Sequence, residues 1–578
     1  VAAYANSFGG QFLLDDHKWI ADNTRIRSFE NFPAMLRATR PMVEITFAAN
    51  YLFNEAVGGD PLNPWGYHLV NLVIHLAAGL LLFALLRGSA RRVLRMREVP
   101  PETAEFRAGG FALAVSLIWL VHPLQTQAVT YLIQRAESLA AMFYLLSLYG
   151  THRVIEASRG DQRGRGWWIA CVLFACVAGV ATKPIVATAP FLIMLYDACF
   201  SGEGWSVLWR QRRRFHAMIG GLLILFVALG VWQATTSGAT AGFGTEAVTA
   251  LEYLRTQPAV LLHYLRLSVW PNPLILDYYW APYDWPDDVW RIVIPSVTVL
   301  ALLGLSGFGV MRRSAAGFCG AAFFVILAPT SSVMPIQDLA VEHRMYLPSA
   351  AVIALLVLLA RVLWRFASKA RPILAGRGVA AAALAVGLIT LVLGGLTVAR
   401  NQDYHDPEQM WRDVLAYSPR NPRAHHNLGI ALADRQRFDQ AIDSLQQALS
   451  IWPEYAAAHR HLGAAYLKSN QLESATTHLR QAVLLEPEQP RAHLYLGEAM
   501  RRVGQLDEAE RSMRRARELA PRSVEVAERL GTLYLRTSRL DEAEPLLRYA
   551  ARQPNTGIAR SNLGLLLSNT GRLEEAER

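Results

Sequence analysis

A chain of 578 residues is too long for one compact core, and at 52% hydrophobic and 18% charged it is more apolar than an ordinary soluble enzyme. The formal charge of +10 would admit nucleic acid as a partner, but its arginines sit in short stretches between apolar runs, which argues for membrane topology instead. No secretory signal peptide is read, and Cys171, Cys176, Cys199 and Cys319 all fall in or at the ends of apolar runs, as buried small hydrophobes rather than disulfides or metal ligands.

The opening residues, VAAYANSFGG, read as the outer end of a helix that starts before Val1. The loop FLLDDHKWI follows, with Asp15 and Asp16 side by side. Adjacent carboxylates at a membrane face raise one another's pKa, so the pair is either a solvated acidic loop or a site. Next come RPMVEITFAANYLF, beginning at Arg40, and YHLVNLVIH, which sets His68, Asn71 and His75 at helical spacing on one face. That stripe fits an interhelical hydrogen-bond seam as well as it fits a site.

Apolar runs at 69–86, 109–121, 136–149, 167–181, 184–195, 217–232, 289–310, 315–328, 345–360 and 379–399 span or nearly span a bilayer. With the first segment they predict about eleven helices in an all-α membrane domain over 1–399. Orientation follows from arginine. Arg87, Arg91, Arg92, Arg95, Arg97 and Arg107, four arginines in 153–165, Arg210 with Arg212 to Arg214, Arg312 with Arg313, and Arg361, Arg365, Lys369, Arg371 and Arg377 all fall on one side. That side is cytoplasmic if PAVLLHYLRLSVW, residues 258–270, lies at the interface or re-enters. The Asp15–Asp16 loop, the segment after Val121, 234–288, 331–344 and everything after Ala399 then face outward.

Charged groups at that outer face are functional candidates. HPLQTQAVTYLIQRAE carries His122, Arg135 and Glu137; Lys183-Pro184 forms a tight turn; VEHRMYLP carries Glu342, His343 and Arg344. For Lys183 the plain alternative is snorkelling. Together these groups suit one chemistry. A carboxylate takes the proton of an acceptor hydroxyl attacking an anomeric carbon, while cations stabilise a departing lipid phosphate. No Gly-rich phosphate loop for a nucleotide sugar is found.

From Asn401 the composition turns polar and periodic. Leu428-Gly429, Leu462-Gly463, Leu496-Gly497 and Leu530-Gly531 recur every 34 residues, followed by Ala441, Ala475, Ala509 and Ala543. Pro453, Pro487, Pro521 and Pro554 close the units. This is the tetratricopeptide pattern, a solenoid over 400–578. It begins with a half repeat at Trp411, Val414 and Pro419 and ends in a fifth unit, Leu563-Gly564, that the chain is expected to cut short at Arg578. Its concave groove would hold another polypeptide.

NSFGGQFLLDDHKWI, RPMVEITFAANYLF, YHLVNLVIH, HPLQTQAVTYLIQRAE, KPIVATAPFLIMLYD and EHRMYLP, in that order before the repeats, resemble the transmembrane and TPR-repeat-containing O-mannosyltransferases and their bacterial relatives. The segment Glu252 to Trp280 resembles the family's middle region. The resemblance implies a C-type glycosyltransferase domain that uses a lipid-phosphate sugar at the outer or lumenal face. It also implies a catalytic acid pair at Asp15 and Asp16. Arg135 with Glu137, and Glu342 with Arg344, match elements expected to bind phosphate and sugar. His343 between Glu342 and Arg344, and Pro184 after Lys183, depart from animal members and favour a bacterial inner-membrane protein.

The resulting expectation is a transferase moving mannose or another hexose from a polyprenyl phosphate to a hydroxyl, Ser or Thr of a protein recruited by the repeats. Asp15 is assigned as base, with Asp16 positioning the acceptor or binding a divalent metal. Arg135, Lys183 and Arg344 are assigned to the phosphate, and Arg40, His68, Asn71, His75 and His122 are supporting polar groups. The rival is a non-catalytic anchor whose repeats assemble envelope or secretion components.

Overall fold

The computed structural model describes residues 1–158, 164–203, 205–236, 248–370, 377–553 and 556–577, without the side chains of 205–210, 233–236 and 577. Arg159, Arg163, Arg371, Pro554 and the side chain of Arg210 therefore lie outside the described residues. Val1–Asp406 forms one unit and Pro407–Arg578 a second. The division falls a few residues after the one expected at 399/400, because the last helix of the first unit runs on through Asp403.

The first unit is helical: α1 (Pro41–Ala56), α2 (Pro64–Arg95), α3 (Pro101–Leu120), α4 (Arg135–Ala157), α5 (Arg165–Val180), α6 (Ala189–Phe200), α7 (Trp205–Thr236), α8 (Ala250–Val269), α9 (Val289–Met311), α10 (Ala315–Leu327), α11 (Pro348–Ala370) and α12 (Gly378–Asp403). Local chemistry sets the ends. The Asn63 side chain accepts from Trp65 N–H ahead of Pro64 to start α2, and a Thr249/Glu252 capping box starts α8.

Among the described residues six helices are long and apolar enough to cross a membrane: α2, α3, residues Gln211–Trp232 of α7, α9, α11 and α12. Arg165–Val180, Pro184–Phe200 and Ala315–Thr330 are shorter apolar helices. Two of the expected eleven differ. The opening segment is a 3-10 turn over Ala2–Gly9, tied to α12 by hydrogen bonds from Asn6 to the Val398 carbonyl and from Asn401 to the Ala3 carbonyl. Helix α4 is buried nearly all round, packed against α2, α5 and α6, so it meets protein rather than lipid and tolerates Arg135, Glu137 and His152. Tyr144, Leu145, Val172, Leu192 and Tyr196 belong to the core there. By contrast, α12 leaves Leu384, Leu388 and Leu391 exposed, as a lipid-facing helix does.

Helix α8 covers the segment expected to be interfacial or re-entrant, and it is continuous through Pro258. Its inner face binds the loop before α11. Val341 N–H donates to Tyr264 Oη at 2.8 Å, and Gln257 donates to the Leu339 carbonyl.

One end of the bundle gathers the arginine-rich connections, but Arg212 is not a solvated loop residue there. It is fully buried at a kink in α7 and donates to both oxygens of Asp197, at 2.9 and 3.1 Å, and to Glu203 at 2.9 Å. His216 Nε2 reaches the same Asp197 carboxylate at 2.9 Å.

The second unit is a stack of helix pairs: α13 (Pro407–Tyr417), then α14 (Pro422–Asp434) with α15 (Phe438–Ile451), α16 (Ala456–Lys468) with α17 (Leu472–Leu485), α18 (Pro490–Val503) with α19 (Leu506–Leu519), α20 (Val524–Arg536) with α21 (Leu540–Ala551), and α22 (Gly557–Asn569) with α23 (Leu573–Glu577). The repeated glycine is required by close crossing. A Cβ on Gly429 would lie 2.6 Å from Leu445 Cγ, and one on Gly497 2.6 Å from Met513 Cγ.

Candidate active site

The acidic loop folds into a tight turn. Leu14, just ahead of the two aspartates, takes φ +47°, a left-handed conformation that its side chain pays for in strain. Asp15 is exposed, its N–H donates to Tyr131 Oη at 3.1 Å, and its carboxylate makes no hydrogen bond among the described residues. Asp16 is 1% exposed; its carboxylate accepts from Leu13 N–H at 3.0 Å and from Ile133 N–H at 2.7 Å. Burial pushes the Asp16 carboxyl up to about 7, against the pull of those two N–H bonds. The two carboxylates therefore do not converge on a metal, and no three of His, Cys, Asp or Glu gather to hold one among the described residues.

Ile133 lies just ahead of α4, whose first turn carries Arg135 and Glu137. These two point to different places. Arg135 is fully buried and donates to Asn71 Oδ1 (2.6 Å), Asn50 Oδ1 (2.9 Å), the Tyr67 carbonyl (3.0 Å) and the Thr46 carbonyl (3.2 Å), with its guanidinium 4.5 Å from the Phe47 ring. Four of its five N–H donors are consumed in stitching α1 and α2 to α4. Expected on the donor phosphate, Arg135 is placed instead among these protein acceptors, with one N–H outside these bonds.

Glu137 lines a small cavity of about 10 Å³, room for roughly one water, together with Ala140, Ala141, Tyr144, Ile185, Ile326, Leu347 and Arg344. Lys183 Nζ bonds Glu137 Oε1, and His343 Nε2 stands 3.6 Å from the same oxygen. His343 is fixed by Gln127, whose Oε1 accepts its N–H at 2.8 Å. Arg40 lies close enough to bias both Lys183 and His343, and its guanidinium makes no hydrogen bond or ion pair among the described residues. Burial holds Lys183 below its ordinary pKa despite the Glu137 charge. Burial first, then Lys183, Arg344 and Arg40, holds His343 well below its own and keeps it neutral. One carboxylate thus faces more than one cation, the balance that an anionic ligand would complete.

Arg344 lines the cavity, but its N–H groups close the preceding loop, donating to the carbonyls of Thr330 (3.2 Å), Leu339 (3.2 Å) and Asp338 (2.6 Å). Glu342 turns away into a second cluster. It accepts from Ile275 N–H and from Tyr278 Oη at 3.0 Å and stands 3.7 Å from Arg400 Nη2. The expected pairing of Glu342 with Arg344 in one subsite is therefore not formed.

The supporting groups are structural ties. His68 Nε2 meets the Gly10 carbonyl at 3.3 Å, Asn71 donates to the carbonyls of Val129 and Leu132, and His75 joins Tyr346 Oη at 2.7 Å. His122 caps the turn after α3 by accepting from Leu124 N–H. Sequence reasoning passed over Gln127 and Tyr131, both inside a quoted motif. It also passed over Arg400, whose position at the outward end of an apolar run goes against the arginine pattern that set the topology.

Tetratricopeptide repeat family models match residues 393–456, 432–499, 500–557 and 528–578. Protein O-mannosyl-transferase TMTC4 of Mus musculus is 26% identical over 496 residues, covering 76% of this chain and 63% of that protein. Protein O-mannosyl-transferase Tmtc3 of Drosophila melanogaster is 24% identical over 520 residues, covering 78% and 54%. The chain is similar to the TMTC proteins over about three quarters of its length. It spans less than two thirds of the length of these TMTC relatives. It joins helices long and apolar enough to cross a membrane to tetratricopeptide repeats, and the similarity to the TMTC proteins agrees with the resemblance read from the sequence. The chain is also similar to the solved structure of YrrB, "a TPR protein with an unusual peptide-binding site", at 19% identity and TM-score 0.25, covering 29% of this chain and 86% of that one.

Proposed function

We propose that this protein is a membrane glycosyltransferase that moves a sugar from a polyprenyl-phosphate donor to a hydroxyl of a protein acceptor held by the repeats. The observation that carries the proposal is the two-sided character of the surroundings of Glu137. Lys183, Arg40 and a neutral His343 gather around Glu137, and on its other side the small cavity is lined by apolar side chains and Arg344. A phosphate beside Glu137 would take Lys183 and Arg40. The names of the TMTC relatives make mannose the first sugar to test.

In this mechanism Asp15 accepts the acceptor O–H proton as that oxygen bonds to the anomeric carbon. The bond from the anomeric carbon to phosphate breaks, and the electron pair leaves with the polyprenyl phosphate, whose charge Lys183 and Arg40 stabilise. Attack opposite the leaving group inverts the centre. Asp16 is the positioning residue: its two N–H bonds aim the Asp15 turn beside the start of α4. The arginine-rich end is cytoplasmic and the Asp15 end extracytoplasmic or lumenal.

The test is transfer from radiolabelled polyprenyl-phosphate mannose, glucose or N-acetylhexosamine in membranes holding the full-length protein. Transfer from one donor, lost in Asp15→Asn at equal expression, is the expected result. Transfer from none of the three, with the repeats still capturing a partner, would leave a scaffold in place of an enzyme.

A further inference from the structure

The solenoid uses its arginines in two ways. On the second helices, Arg480, Arg514 and Arg548 recur at the repeat spacing and reach carboxylates of the following unit: Glu508 at 3.0 Å, Glu542 at 3.3 Å and Glu575 at 2.7 Å. The first helices instead pack directly on one another, α14 on α16, α16 on α18, α18 on α20 and α20 on α22. The closer-packed row lies on the inside of the curve, so the first helices line the concave face.

On that face two arginines stand outside the pairing. Arg460 makes no ion pair among the described residues, and its Nε is buried without a hydrogen-bond partner. Arg491, one repeat on and exposed, also has no ion pair among the described residues. Glu486 is the carboxylate whose charge Arg460 feels, yet it forms no ion pair with it. Between the two arginines lie Tyr495 and His461, and the histidine is held well below its ordinary pKa by burial and by Arg460 and its neighbours. The positive charge of the groove is therefore that of the guanidiniums, set among flat aromatic faces, in a unit where other arginines find glutamates.

We infer that the groove at Arg460 and Arg491 binds an extended acidic segment of polypeptide, with carboxylates on the two guanidiniums and the peptide laid against Tyr495 and His461. A guanidinium fork matches a carboxylate in shape and charge. A continuous polyanion such as RNA fits less well. Further along the same face Glu498 and Glu525, each paired with an arginine of its own helix, interrupt the run of positive charge, which suits a short acidic segment better than a charge at every step. The inference names the chemistry of a partner and does not rest on the transferase proposal.

The probe is a fluorescein-labelled decapeptide of alternating Glu and Gly, titrated with full-length protein in lipid nanodiscs and followed by anisotropy. The same peptide with Gln for Glu and a ten-nucleotide uridine RNA are run beside it. The expected result is binding of the Glu peptide at least tenfold tighter than the Gln peptide, weakening with salt. That binding falls at least tenfold in the Arg460→Gln/Arg491→Gln variant, returns in Arg460→Lys/Arg491→Lys and is kept in Arg480→Gln. Equal binding of Glu and Gln peptides to the unaltered protein, tighter binding of RNA, or unchanged binding in the double glutamine variant would overturn it. The comparison of peptides on the unaltered protein stands even if a variant fails to fold.

Discussion

Two buried ionic clusters lie at opposite ends of α6. In the last turn of α6 stands Asp197 with Arg212, Glu203 and His216; before the helix starts stands Lys183 with Glu137 and His343. The ingredients are nearly the same, and the surroundings differ. Around Asp197 the carboxylate has an arginine fork on both oxygens, and the group is sealed in protein. Around Glu137 there is a small cavity lined largely by apolar side chains, and Arg40 stands nearby without an ion pair among the described residues. The first arrangement is a staple, and the second has a cation to spare. Charge burial alone does not mark a site; buried charge beside a cavity and an unmatched cation does.

The sharpest test of this contrast is activity. Asp15→Asn should lower sugar transfer by about 10² to 10⁴-fold, the range of a lost general base, without changing the melting temperature. A variant that unfolds instead would make the acidic turn another staple. Arg212→Ala should do the reverse. Leaving Asp197 buried without its fork costs about 3–5 kcal/mol, read as a large fall in melting temperature, with the activity per folded molecule kept.

Asp16 gives a pH test. Its carboxyl is raised in the folded protein to about 7, so the proton is held more tightly folded than unfolded. The associated stability is full below the ordinary carboxylate pKa and is lost as pH rises through about 7. Relative to Asp16→Asn, the unaltered protein should lose up to about 3 kcal/mol between pH 5 and pH 8, measured by thermal unfolding in nanodiscs. A flat difference would mean that the carboxyl is not buried as described. The smallest effect is in the solenoid. Gly463→Ala presses a methyl against Leu479 Cγ, at 2.5 Å, and should cost about 1–3 kcal/mol. Transfer measured on a small peptide acceptor should survive it.

The two units also differ in how far the sequence foretells them. The repeats are local, so a fixed spacing of Leu-Gly, Ala and Pro is enough to place every crossing. In the membrane unit the motifs were legible and their partners were not. Arg135 reads as a ligand because a lone arginine at a helix start usually wants an anion. Its real partners include the Tyr67 and Thr46 carbonyls, backbone atoms that leave no mark on a sequence. Arg212 reads as topology because it heads a run of arginines. Asp197, an acid closing the apolar stretch KPIVATAPFLIMLYD, was the clue that a buried cation had to be found for it. Helix α4 shows the same limit, because a hydropathy run does not say whether its neighbours will be lipid or protein.

The Asp16 carboxylate grips Ile133, 117 residues further along the chain. The acidic turn is thus written at the start of the sequence but finished only after α2 and α3 have been threaded and α4 has docked. A nascent chain halted earlier would display both aspartates loose in solvent and hold no assembled turn. Only chains that have brought their first helices together complete the turn.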